Sequence, residues 1–306
     1  MTAKLLDGLK VAKQIKEEVA AEVKYLFESY QVKPGLAAVI VGNDPASEVY
    51  VASKVKTCET LGLYSEKHVL AKSTTTEELQ ELIFKLNNQD NIDGILVQMP
   101  LPKQIDADKI FASISVNKDV DGFHPENVGR LALKQTGFVA CTPAGVMELL
   151  KRYDIDPAGK RAVVLGRSRI VGLPLALLLI HANATVTVCH SKTAKLKEIT
   201  READIIVAAL GQTAFITTEH IKSGAIVIDV GINKLTEETE ILRYFPDYTK
   251  RLEDLEKKGY TLIGDVEPDC ETIAGYLTPV PGGVGPLTIA MLMKNTVKAA
   301  KLRRNL

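Results

Sequence analysis

The sequence predicts an α/β protein made of two domains. Short runs of β-branched and other apolar residues alternate with longer amphipathic segments, which is the pattern of parallel sheets covered by helices. Most of these runs are apolar throughout, so their strands are expected to be buried on both faces. With 306 residues the chain is longer than one ordinary core requires, and two domains of about 150 residues each are therefore expected.

The first half of the chain begins with an amphipathic segment. Apolar residues recur at helical spacing from Gly8 to Tyr30, which predicts a surface helix with one buried stripe. The apolar runs Leu36–Val41 and Gly94–Met99 are predicted strands, and the second ends at a proline. A capping residue followed by proline indicates a helix from Asp44 to about Leu61, and the capping-box spacing at Thr75–Glu78 indicates the start of another.

The second half repeats this alternation and forms the second domain. A helix is expected to start near Thr142–Pro143, close to the domain boundary, and others to span Ile170–His181 and Pro286–Arg303. The final helix shows no obvious chemistry. The charged, helix-prone segment Lys234–Tyr260, broken by Pro246, is predicted to be a solvated surface excursion. The strands predicted for this half are Arg161–Leu165, Thr185–Cys189, Asp204–Leu210 and Ala225–Asp229.

The composition argues against several classes of protein. Acidic and basic side chains balance at 38 each without a long run of Lys or Arg, so no nucleic acid or membrane is an expected partner. The most apolar stretch, Leu173–Ile180, is far shorter than the roughly 20 residues of a membrane span. The first residues lack the apolar core of a signal peptide. A cytoplasmic protein without a metal site is expected, in which four cysteines are inert, partly buried thiols: Cys58, Cys141, Cys189 and Cys270.

A glycine-bearing turn links a predicted strand to a predicted helix at Gly166–Gly172. Backbone N–H groups and the helix dipole at such a turn favour the phosphates of a dinucleotide, as in a Rossmann fold. The sequence of this turn departs from the G-x-G-x-x-G motif, because Ser168 replaces the middle glycine and the last glycine falls one residue late. A plain strand-to-helix turn is the alternative interpretation of this segment.

The residues about 20 positions later favour NADP over NAD. The strand that ends at Cys189 is followed by His190–Thr193, which contains no Asp or Glu to pair with a free ribose hydroxyl. The hydroxyl of Ser191 and the cation of Lys192, with Arg167 in the turn, suit the additional phosphate of NADP.

Three polar residues share one face of the helix that begins at Asp44. Ser47, Tyr50 and Lys54 are spaced three and four residues apart, just past the carboxyl end of a predicted strand, where open α/β sheets bind ligands. Gln98 is expected at the same edge, where it could hydrogen-bond the lysine amine. A neutral Lys54 near pH 7 requires desolvation to lower its pKa from about 10.4. The alternative is a solvated lysine beside a half-buried tyrosine.

Two further segments carry candidate binding residues. In Lys118–Phe123, Asp119 is expected to cap a turn, and Asp121 either does the same or accepts hydrogen bonds from the amino groups of a ligand. Thr278–Thr288 contains three glycines within four residues between prolines. Glycine allows backbone to approach a ligand closely and proline stiffens the loop beforehand, so a binding loop is predicted.

At these residues the sequence closely resembles the bifunctional methylenetetrahydrofolate dehydrogenase/methenyltetrahydrofolate cyclohydrolases. The motifs occur in the family's order along nearly the whole chain: Tyr50–Cys58, Gly94–Pro102, Asp119–Phe123, Gly166–Ser168 and Pro281–Pro286. The resemblance implies oxidation of methylenetetrahydrofolate with NADP and hydrolysis to 10-formyltetrahydrofolate, within one-carbon metabolism and purine biosynthesis. It also implies a cytoplasmic homodimer, and a cleft between a folate domain (1–140 with 286–306) and a Rossmann domain (141–285).

The resemblance also implies roles for individual residues. Lys54 is the central catalytic group, Gln98 tunes it, Tyr50 stacks on the folate and Asp121 grips the amino edge of the pterin. Further folate contacts are implied for Ser47, Val97, Met99, Pro281, Gly282, Gly283, Val284 and Gly285. Cofactor contacts are implied for Thr142, Gly166, Arg167, Ser168, Ser191 and Ile232. The chain departs from the family in a longer Asn233–Gly264 segment and in Leu287, which replaces a methionine.

Three other functions fit part of the pattern. A different Rossmann dehydrogenase would explain the turn at Gly166. It would leave Tyr50, Gln98 and the glycine-rich segment Thr278–Thr288, here called the Pro281 loop, without roles. An enzyme that forms a Schiff base through Lys54 would be revealed by borohydride trapping. A non-catalytic dinucleotide sensor would bind NADP without turning over methylenetetrahydrofolate.

Overall fold

A computed structural model describes residues 2–245 and 249–306, apart from the side chains of residues 45 and 46. The predicted break at Pro246 therefore lies outside the described residues. The chain divides into two compact units. The three-stranded unit consists of Ala12–Cys141 and Thr288–Leu306, and the six-stranded unit of Met1–Val11 and Thr142–Leu287.

Strands and helices alternate along the described chain. The strands are β1 (Lys4–Leu5), β2 (Gly35–Val41), β3 (Tyr64–Leu70), β4 (Gly94–Val97), β5 (Arg161–Leu165), β6 (Thr185–Cys189), β7 (Ile205–Ala208), β8 (Ile226–Asp229), β9 (Asn233–Leu235), β10 (Thr261–Ile263) and β11 (Tyr276–Leu277). The helices are α1 (Gly8–Tyr30), α2 (Pro45–Thr60), α3 (Thr76–Asn87), α4 (Ala107–Ser113), α5 (Pro125–Ala132), α6 (Cys141–Arg152), α7 (Gly172–His181), α8 (Leu196–Arg201), α9 (Glu238–Tyr244), α10 (Thr249–Lys258) and α11 (Val284–Arg304). Two short 3₁₀ helices span Thr218–His220 and Pro268–Thr272.

The three-stranded unit is built on a parallel sheet of order β3-β2-β4. All seven residues of the central strand β2 are buried, as its continuous apolar run predicts. Strand β4 ends at Val97, two residues earlier than predicted, and leaves Gln98 and Met99 beyond the sheet. Strand β3 was not predicted, because its sequence YSEKHVL resembles a solvated segment and its edge position leaves it half-exposed.

The helix starts follow the capping chemistry of the sequence. Asp44 caps α2, because its carboxylate accepts from the Ser47 N–H at 2.8 Å. Thr75 and Glu78 form the predicted capping box of α3, each side chain accepting from the other residue's backbone N–H. These local interactions place the first turn of α2 directly after the carboxyl end of β2.

The six-stranded unit contains a parallel sheet of order β1-β11-β8-β7-β5-β6. The four strands predicted for this half are present, two of them shorter at their ends, and the α/β class is confirmed. The two-residue strands β1 and β11 were not predicted, since their pairing depends on residues distant in sequence. Because Lys4 and Leu5 pair with β11, the first residues group with this unit. No helix in the described ranges is long and apolar enough to cross a membrane.

The predicted surface excursion, 234–260, is more ordered than a solvated segment. Strands β9 and β10 pair antiparallel, and α9 and α10 lie between them in sequence. No residue of α10 is buried, as its charge predicts. The segment nevertheless has a core of its own, which consists of Ala214, Leu235, Ile241 and Ile263, with Tyr244, Phe245, Leu252 and Leu255 packed against it.

The end of the chain is tied into the three-stranded unit by one buried carboxylate. Asp93, which is fully buried before β4, accepts from Arg304 at 2.6 Å, from Arg303 and from the Gly35 N–H. A carboxylate in this position compensates both guanidinium groups and one strand N–H, so its removal breaks two ion pairs and takes away the acceptor of the Gly35 N–H.

Replacing Asp93 with Ala is expected to destabilise the protein by about 3 kcal/mol, because it breaks a buried ion pair. The free energy of unfolding in urea measures the loss. Asp90→Ala is the matched control: this side chain is fully exposed, 3.9 Å from Arg303, and its loss should cost less than about 1 kcal/mol. Equal stability of the two variants would contradict the assigned role.

Candidate active site

Lys54 and Gln98 meet at the carboxyl edge of the three-stranded sheet. Lys54 lies on α2, which follows β2, and Gln98 directly follows β4. Because β2 and β4 are parallel neighbours, the two residues lie at the same edge of the sheet. The Lys54 amine donates to Gln98 Oε1 at 3.0 Å, which confirms the predicted hydrogen bond. The Gln98 amide donates to the Met99 carbonyl at 2.6 Å, and this fixes its oxygen toward the lysine.

The Lys54 amine is strongly desolvated. Its residue is 4% exposed, and burial lowers the pKa of Lys54, while the charges of Asp121 and Cys141 counteract that shift. The Tyr50 ring, one helical turn earlier, has its centroid 4.5 Å from the amine. The solvated-lysine alternative is therefore wrong. A larger fraction of Lys54 is neutral near pH 8 than of a lysine in water.

The Tyr50 hydroxyl remains protonated. Burial, together with the charges of Asp121 and Cys141, raises the pKa of Tyr50 to about 12, against a smaller opposing effect of a hydrogen bond with Thr288. A phenol with this pKa donates hydrogen bonds and offers a ring face, but it takes no proton near pH 7. Its geometry suits stacking and orientation of a planar ligand.

The turn after Lys118 presents one carboxylate and uses the other for structure. Asp119 accepts from the backbone N–H groups of Phe123 and His124 and from the Asn127 amide, so it caps the turn as predicted. Gly122 has a φ of +73°, and a Cβ there would lie 2.5 Å from the Ala140 nitrogen. Asp121 is half-buried, and burial raises its pKa to about 6 although the charge of Lys54 lowers it.

Sequence reasoning missed two residues around Asp121. The buried Cys141 thiol lies 3.4 Å from the Val120 carbonyl and 3.9 Å from Asp121 Oδ1, and burial raises the pKa of Cys141 well above its usual value. Asn295 on α11 donates to the carbonyls of Val120 and Val139 at 2.8 and 3.2 Å. The final helix, for which the sequence showed no obvious chemistry, therefore supports the turn that carries Asp121. All four thiols are also buried rather than partly buried.

The remaining predicted folate residues of this unit surround the same edge. Ser47 is 7% exposed at the start of α2, Val97 is buried in the core below the sheet edge, and Met99 packs partly against that core. Their folate contacts stay predictions. Val97 is held by core packing, whereas Met99 is half-exposed beyond the strand.

The predicted dinucleotide turn lies between β5 and α7 in the six-stranded unit. Gly166 has a φ of +113°, and a Cβ on it would lie 2.2 Å from the Ala209 carbonyl oxygen. A Cβ on Gly172 would lie 2.1 Å from the Gly166 carbonyl oxygen. Gly172, the last glycine of the motif, thus allows the turn to pack closely against the start of the helix. Ser168 Oγ accepts from the Val171 and Gly172 N–H groups, and the helix starts at Gly172 rather than at Ile170.

Cationic and hydroxyl side chains lie exposed around this turn, so the donor set fits the extra phosphate of NADP. Arg167, Ser191 and Lys192 are all exposed. The turn that carries Ser191 is held by hydrogen bonds from His190 N to Thr193 Oγ1 and from Lys192 N to His190 Nδ1. Thr142 lies half-buried in the first turn of α6.

Two buried aspartates, which sequence reasoning missed, hold the loops after β7 and β8. Asp265 accepts from the N–H groups of Leu210, Gly211 and Gln212. Asp229 accepts from three further N–H groups, those of Gly231, Asp265 and Val266, and burial raises its pKa to about 7. Ile232, a predicted cofactor residue, follows in the second loop and is 58% exposed. No local pattern signals such a pair.

The Pro281 loop is tightly packed by its own backbone. Gly282 has a φ of +108°, and its carbonyl accepts from the Leu9 N–H at 3.0 Å. A Cβ on Gly283 would lie 2.6 Å from the Pro279 carbonyl oxygen. Pro281 is exposed, Val284 is buried and Gly285 is half-buried. In the described ranges, no group of three His, Cys, Asp or Glu side chains could hold a metal ion.

Two family models match the chain over complementary ranges. The catalytic domain of tetrahydrofolate dehydrogenase/cyclohydrolase matches residues 6–121. The NAD(P)-binding domain of tetrahydrofolate dehydrogenase/cyclohydrolase matches residues 140–304. The first match includes helix α2, which carries Lys54, and its last matched residue is Asp121. The second match includes the Gly166 turn.

Relatives and solved structures match along the whole chain. Bifunctional protein FolD of Koribacter versatilis (strain Ellin345) is 55% identical over 304 residues, 99% of each chain. The crystal structure of the FolD methylenetetrahydrofolate dehydrogenase/cyclohydrolase from Campylobacter jejuni is 46% identical, with a TM-score of 0.89 over 98% of this chain and 99% of that one. The Trypanosoma brucei enzyme, complexed with NADP cofactor and inhibitor, is 39% identical with a TM-score of 0.90, covering 100% of both chains.

Replacing Asp121 with Asn is expected to stabilise the protein at pH 7.5 and not at pH 4. Because the folded-state pKa of Asp121 is raised to about 6, the ionised carboxylate costs stability above that pH, and this cost is lost as the pH falls toward the unfolded value. The pKa of about 6 already includes the attraction of Lys54, and solvent around the half-buried carboxylate reduces the effect, so a gain of about 1 kcal/mol is expected. Urea unfolding at both pH values measures it, with Asp90→Asn as the exposed control. A variant that is less stable than wild type at pH 7.5 would contradict burial as the cause of the raised pKa of Asp121.

Proposed function

Because this chain belongs to the tetrahydrofolate dehydrogenase/cyclohydrolase family, we propose that Lys54 serves two successive reactions on one folate. The enzyme oxidises 5,10-methylenetetrahydrofolate to 5,10-methenyltetrahydrofolate with NADP and hydrolyses the product to 10-formyltetrahydrofolate. It thus acts in one-carbon metabolism. The hydrogen bond between the desolvated Lys54 amine and Gln98 is the observation that carries the assignment of Lys54.

The two units divide the binding tasks in this proposal. The three-stranded unit, Ala12–Cys141 with Thr288–Leu306, is the proposed folate-binding catalytic domain. It matches the range predicted from the sequence, 1–140 with 286–306, except that the first eleven residues group with the six-stranded unit. The six-stranded unit is the NADP-binding domain, 141–285. The positions of Lys54 and Asp121 in one unit and of the Gly166 turn in the other support this division.

NADP, when bound, would supply the hydride acceptor of the first reaction, and residues of this chain would bind and orient it. The Gly166 turn lets backbone N–H groups approach the diphosphate without a side chain in the way. Arg167 and Ser191 bind the additional ribose phosphate, and Ser168 keeps the start of α7 in place through its own hydrogen bonds. Thr142 and Ile232 complete the proposed contacts with the cofactor.

Orientation of the folate is the main requirement of the oxidation step. Departure of a hydride from the methylene carbon is assisted by the adjacent electron-rich nitrogen, so alignment contributes most of the rate. The Tyr50 ring stacks on the folate and the Asp121 carboxylate accepts from the amino edge of the pterin. Ser47, Val97 and Met99 form the remaining folate surface of the three-stranded unit. The Pro281–Gly285 loop of the six-stranded unit is proposed to contact the folate as well.

Hydrolysis is the step that needs proton transfer. Water adds to the methenyl carbon and gives up one proton. The bond from that carbon to N5 then breaks as the remaining hydroxyl proton passes to N5, which leaves the 10-formyl product. A neutral Lys54 amine takes the proton from the attacking water, because burial lowers its pKa toward the working pH. Gln98 accepts a hydrogen bond from the same amine and holds its lone pair toward the substrate. The rate of hydrolysis should therefore rise with pH until Lys54 is fully neutral.

Replacing Lys54 with Met is expected to abolish hydrolysis, by at least about 100-fold, while NADP binding survives. Methionine preserves the length and the apolar stem but has no basic nitrogen. Purified protein is supplied with methylenetetrahydrofolate and NADP or NAD, and reduced cofactor and the methenyl intermediate are followed together. NADP binding to the variant is measured by fluorescence titration.

Lys56→Met is the matched control for that variant. Lys56 lies two residues further along the same helix, is exposed, and should tolerate the change with activities within about twofold of wild type. Hydrolysis by Lys54→Met within a few-fold of wild type would remove Lys54 from the catalytic role. A wild-type protein that binds NADP but oxidises no methylenetetrahydrofolate would overturn the function.

A homodimer is proposed from the edge of the six-stranded sheet. Strand β6 has one unpaired edge in that sheet, and Val188 on it is 37% exposed. On the neighbouring helix α7, Leu173 and Ile180 are 42% and 52% exposed. An apolar patch beside an open strand edge suits a second copy of the same chain.

The four cysteines, all free, support the proposed cytoplasmic location.

The double variant Leu173→Glu with Ile180→Glu is expected to be a monomer at micromolar concentration, because charges on both sides of a twofold interface repel. Sedimentation velocity distinguishes a 33.3 kDa monomer from a dimer. Phe84→Glu, at a 69% exposed residue of α3, is the control and should leave the dimer intact. A wild-type protein that sediments as a monomer would contradict the proposal.

A further inference from the structure

The Asn233–Ile263 segment has no role in the reactions described above, yet one of its side chains reaches the Pro281 loop. The segment comprises β9, α9, α10 and β10 and is held by the small core around Ile241. Arg251, on α10, is half-buried although no residue of that helix is fully buried. Its guanidinium group lies 4.3 Å from the Phe245 ring centroid.

The two ends of the Arg251 guanidinium bind different parts of the chain. Nη1 donates to the Leu262 carbonyl at 2.8 Å, and that carbonyl belongs to β10 of the same segment. Nη2 donates to the Val280 carbonyl at 2.9 Å. A guanidinium group is planar and its N–H groups have fixed directions, so these bonds fix the distance between the segment and Val280. Because one partner is charged, the bonds are stronger than those between neutral groups.

The same loop is also held by backbone hydrogen bonds on either side of Val280. On one side, Thr278 donates its N–H to the Val227 carbonyl, and its hydroxyl accepts from the Asp229 N–H at 2.7 Å. On the other side, the Gly282 carbonyl accepts from the Leu9 N–H. Arg251 therefore holds the residue directly before Pro281, midway between strand β8 and helix α1.

We propose that the Asn233–Ile263 segment is a brace for the folate-binding loop, and that Arg251 is the positioning residue through which it acts. This inference rests on the proposed folate contacts of Pro281–Gly285. Arg251 touches no reacting atom; it keeps the loop in the conformation that receives the folate, so that binding does not have to order the loop. A long surface segment thereby supports substrate affinity without taking part in the chemistry.

The test compares Arg251→Ala, Arg251→Lys and Arg243→Ala in the full chain. Steady-state KM and kcat are measured for methylenetetrahydrofolate oxidation and for methenyltetrahydrofolate hydrolysis, and Kd for NADP. Arg251→Ala should raise both folate KM values about tenfold, with kcat changed less than about threefold and NADP affinity unchanged. Arg251→Lys should lie between Ala and wild type, because an ammonium group cannot bridge both carbonyls in the same geometry.

Arg243→Ala is the matched control. Arg243 lies on α9 in the same segment and is exposed, and its guanidinium carbon lies 5.2 Å from the Tyr244 ring centroid. Its replacement should leave every constant within about twofold of wild type. Folate KM values in Arg251→Lys and Arg251→Ala equal to those of wild type would overturn the brace. Equal losses in folate and NADP affinity would do the same, since they indicate general destabilisation.

These outcomes are separable from failure of the proposed function. If the wild-type protein lacked either activity, the function itself would be wrong, whereas the brace is tested only by the ratio of variant to wild type. If Arg251→Ala does not fold, the Arg251→Lys variant decides the question through its folate KM alone.

Discussion

The proposed active site depends on a lysine amine, that of Lys54, which is kept away from water at the edge of a parallel sheet. Burial lowers the pKa of Lys54 and raises that of Asp121, and the attraction between them offsets only part of each shift. The site therefore carries a cost in stability. In the proposed mechanism that cost has a use, because a fully solvated lysine is almost entirely protonated near pH 7 and accepts no proton from water.

Three separate segments must come together for this environment to exist. Helix α2 brings Lys54 and Tyr50, the end of β4 brings Gln98, and the turn after Lys118 brings Asp121. Close backbone packing makes this possible: a Cβ on Gly94 would lie 2.7 Å from the Val120 side chain, and Ile95 bridges to Asp119. The C-terminal helix then secures that turn, since Asn295 donates to the Val120 carbonyl.

Ionisable side chains that are buried or half-buried and that bind backbone recur where a loop must keep one conformation. Asp265 and Asp229 each accept from three N–H groups and fix the loops after β7 and β8. Asp119 does the same for the turn of Asp121, and Arg251 binds two carbonyls around the Pro281 loop. Each of these loops carries, or lies beside, a proposed ligand contact. Fixing them in advance reduces the entropy that binding would otherwise lose.

The sequence by itself determined the elements whose causes are local. Continuous apolar runs identified β2, β4 and the main strands of the second sheet, and Asp44 and the Thr75–Glu78 box marked helix starts. Spacing of three and four residues placed Tyr50 and Lys54 on one face, and the absence of a carboxylate beside Ser191 indicated NADP. The local pattern marked Asp121 and the Pro281 loop as candidate binding residues, but their specific roles toward folate came from family resemblance.

Only the tertiary structure decided the interactions between residues distant in sequence. Several of these interactions have no local signature, because their partners lie 20 to 175 residues apart. They are the contacts of Cys141 and Asn295 around Asp121, the bonds that Asp265 accepts after β7, and the bond from Arg251 to Val280. Strand β3 was missed for the same reason: its polar residues join the sheet through pairing with β2. Desolvation, which shifts the pKa of Lys54, is a property of everything packed around the amine, and a linear pattern does not contain it.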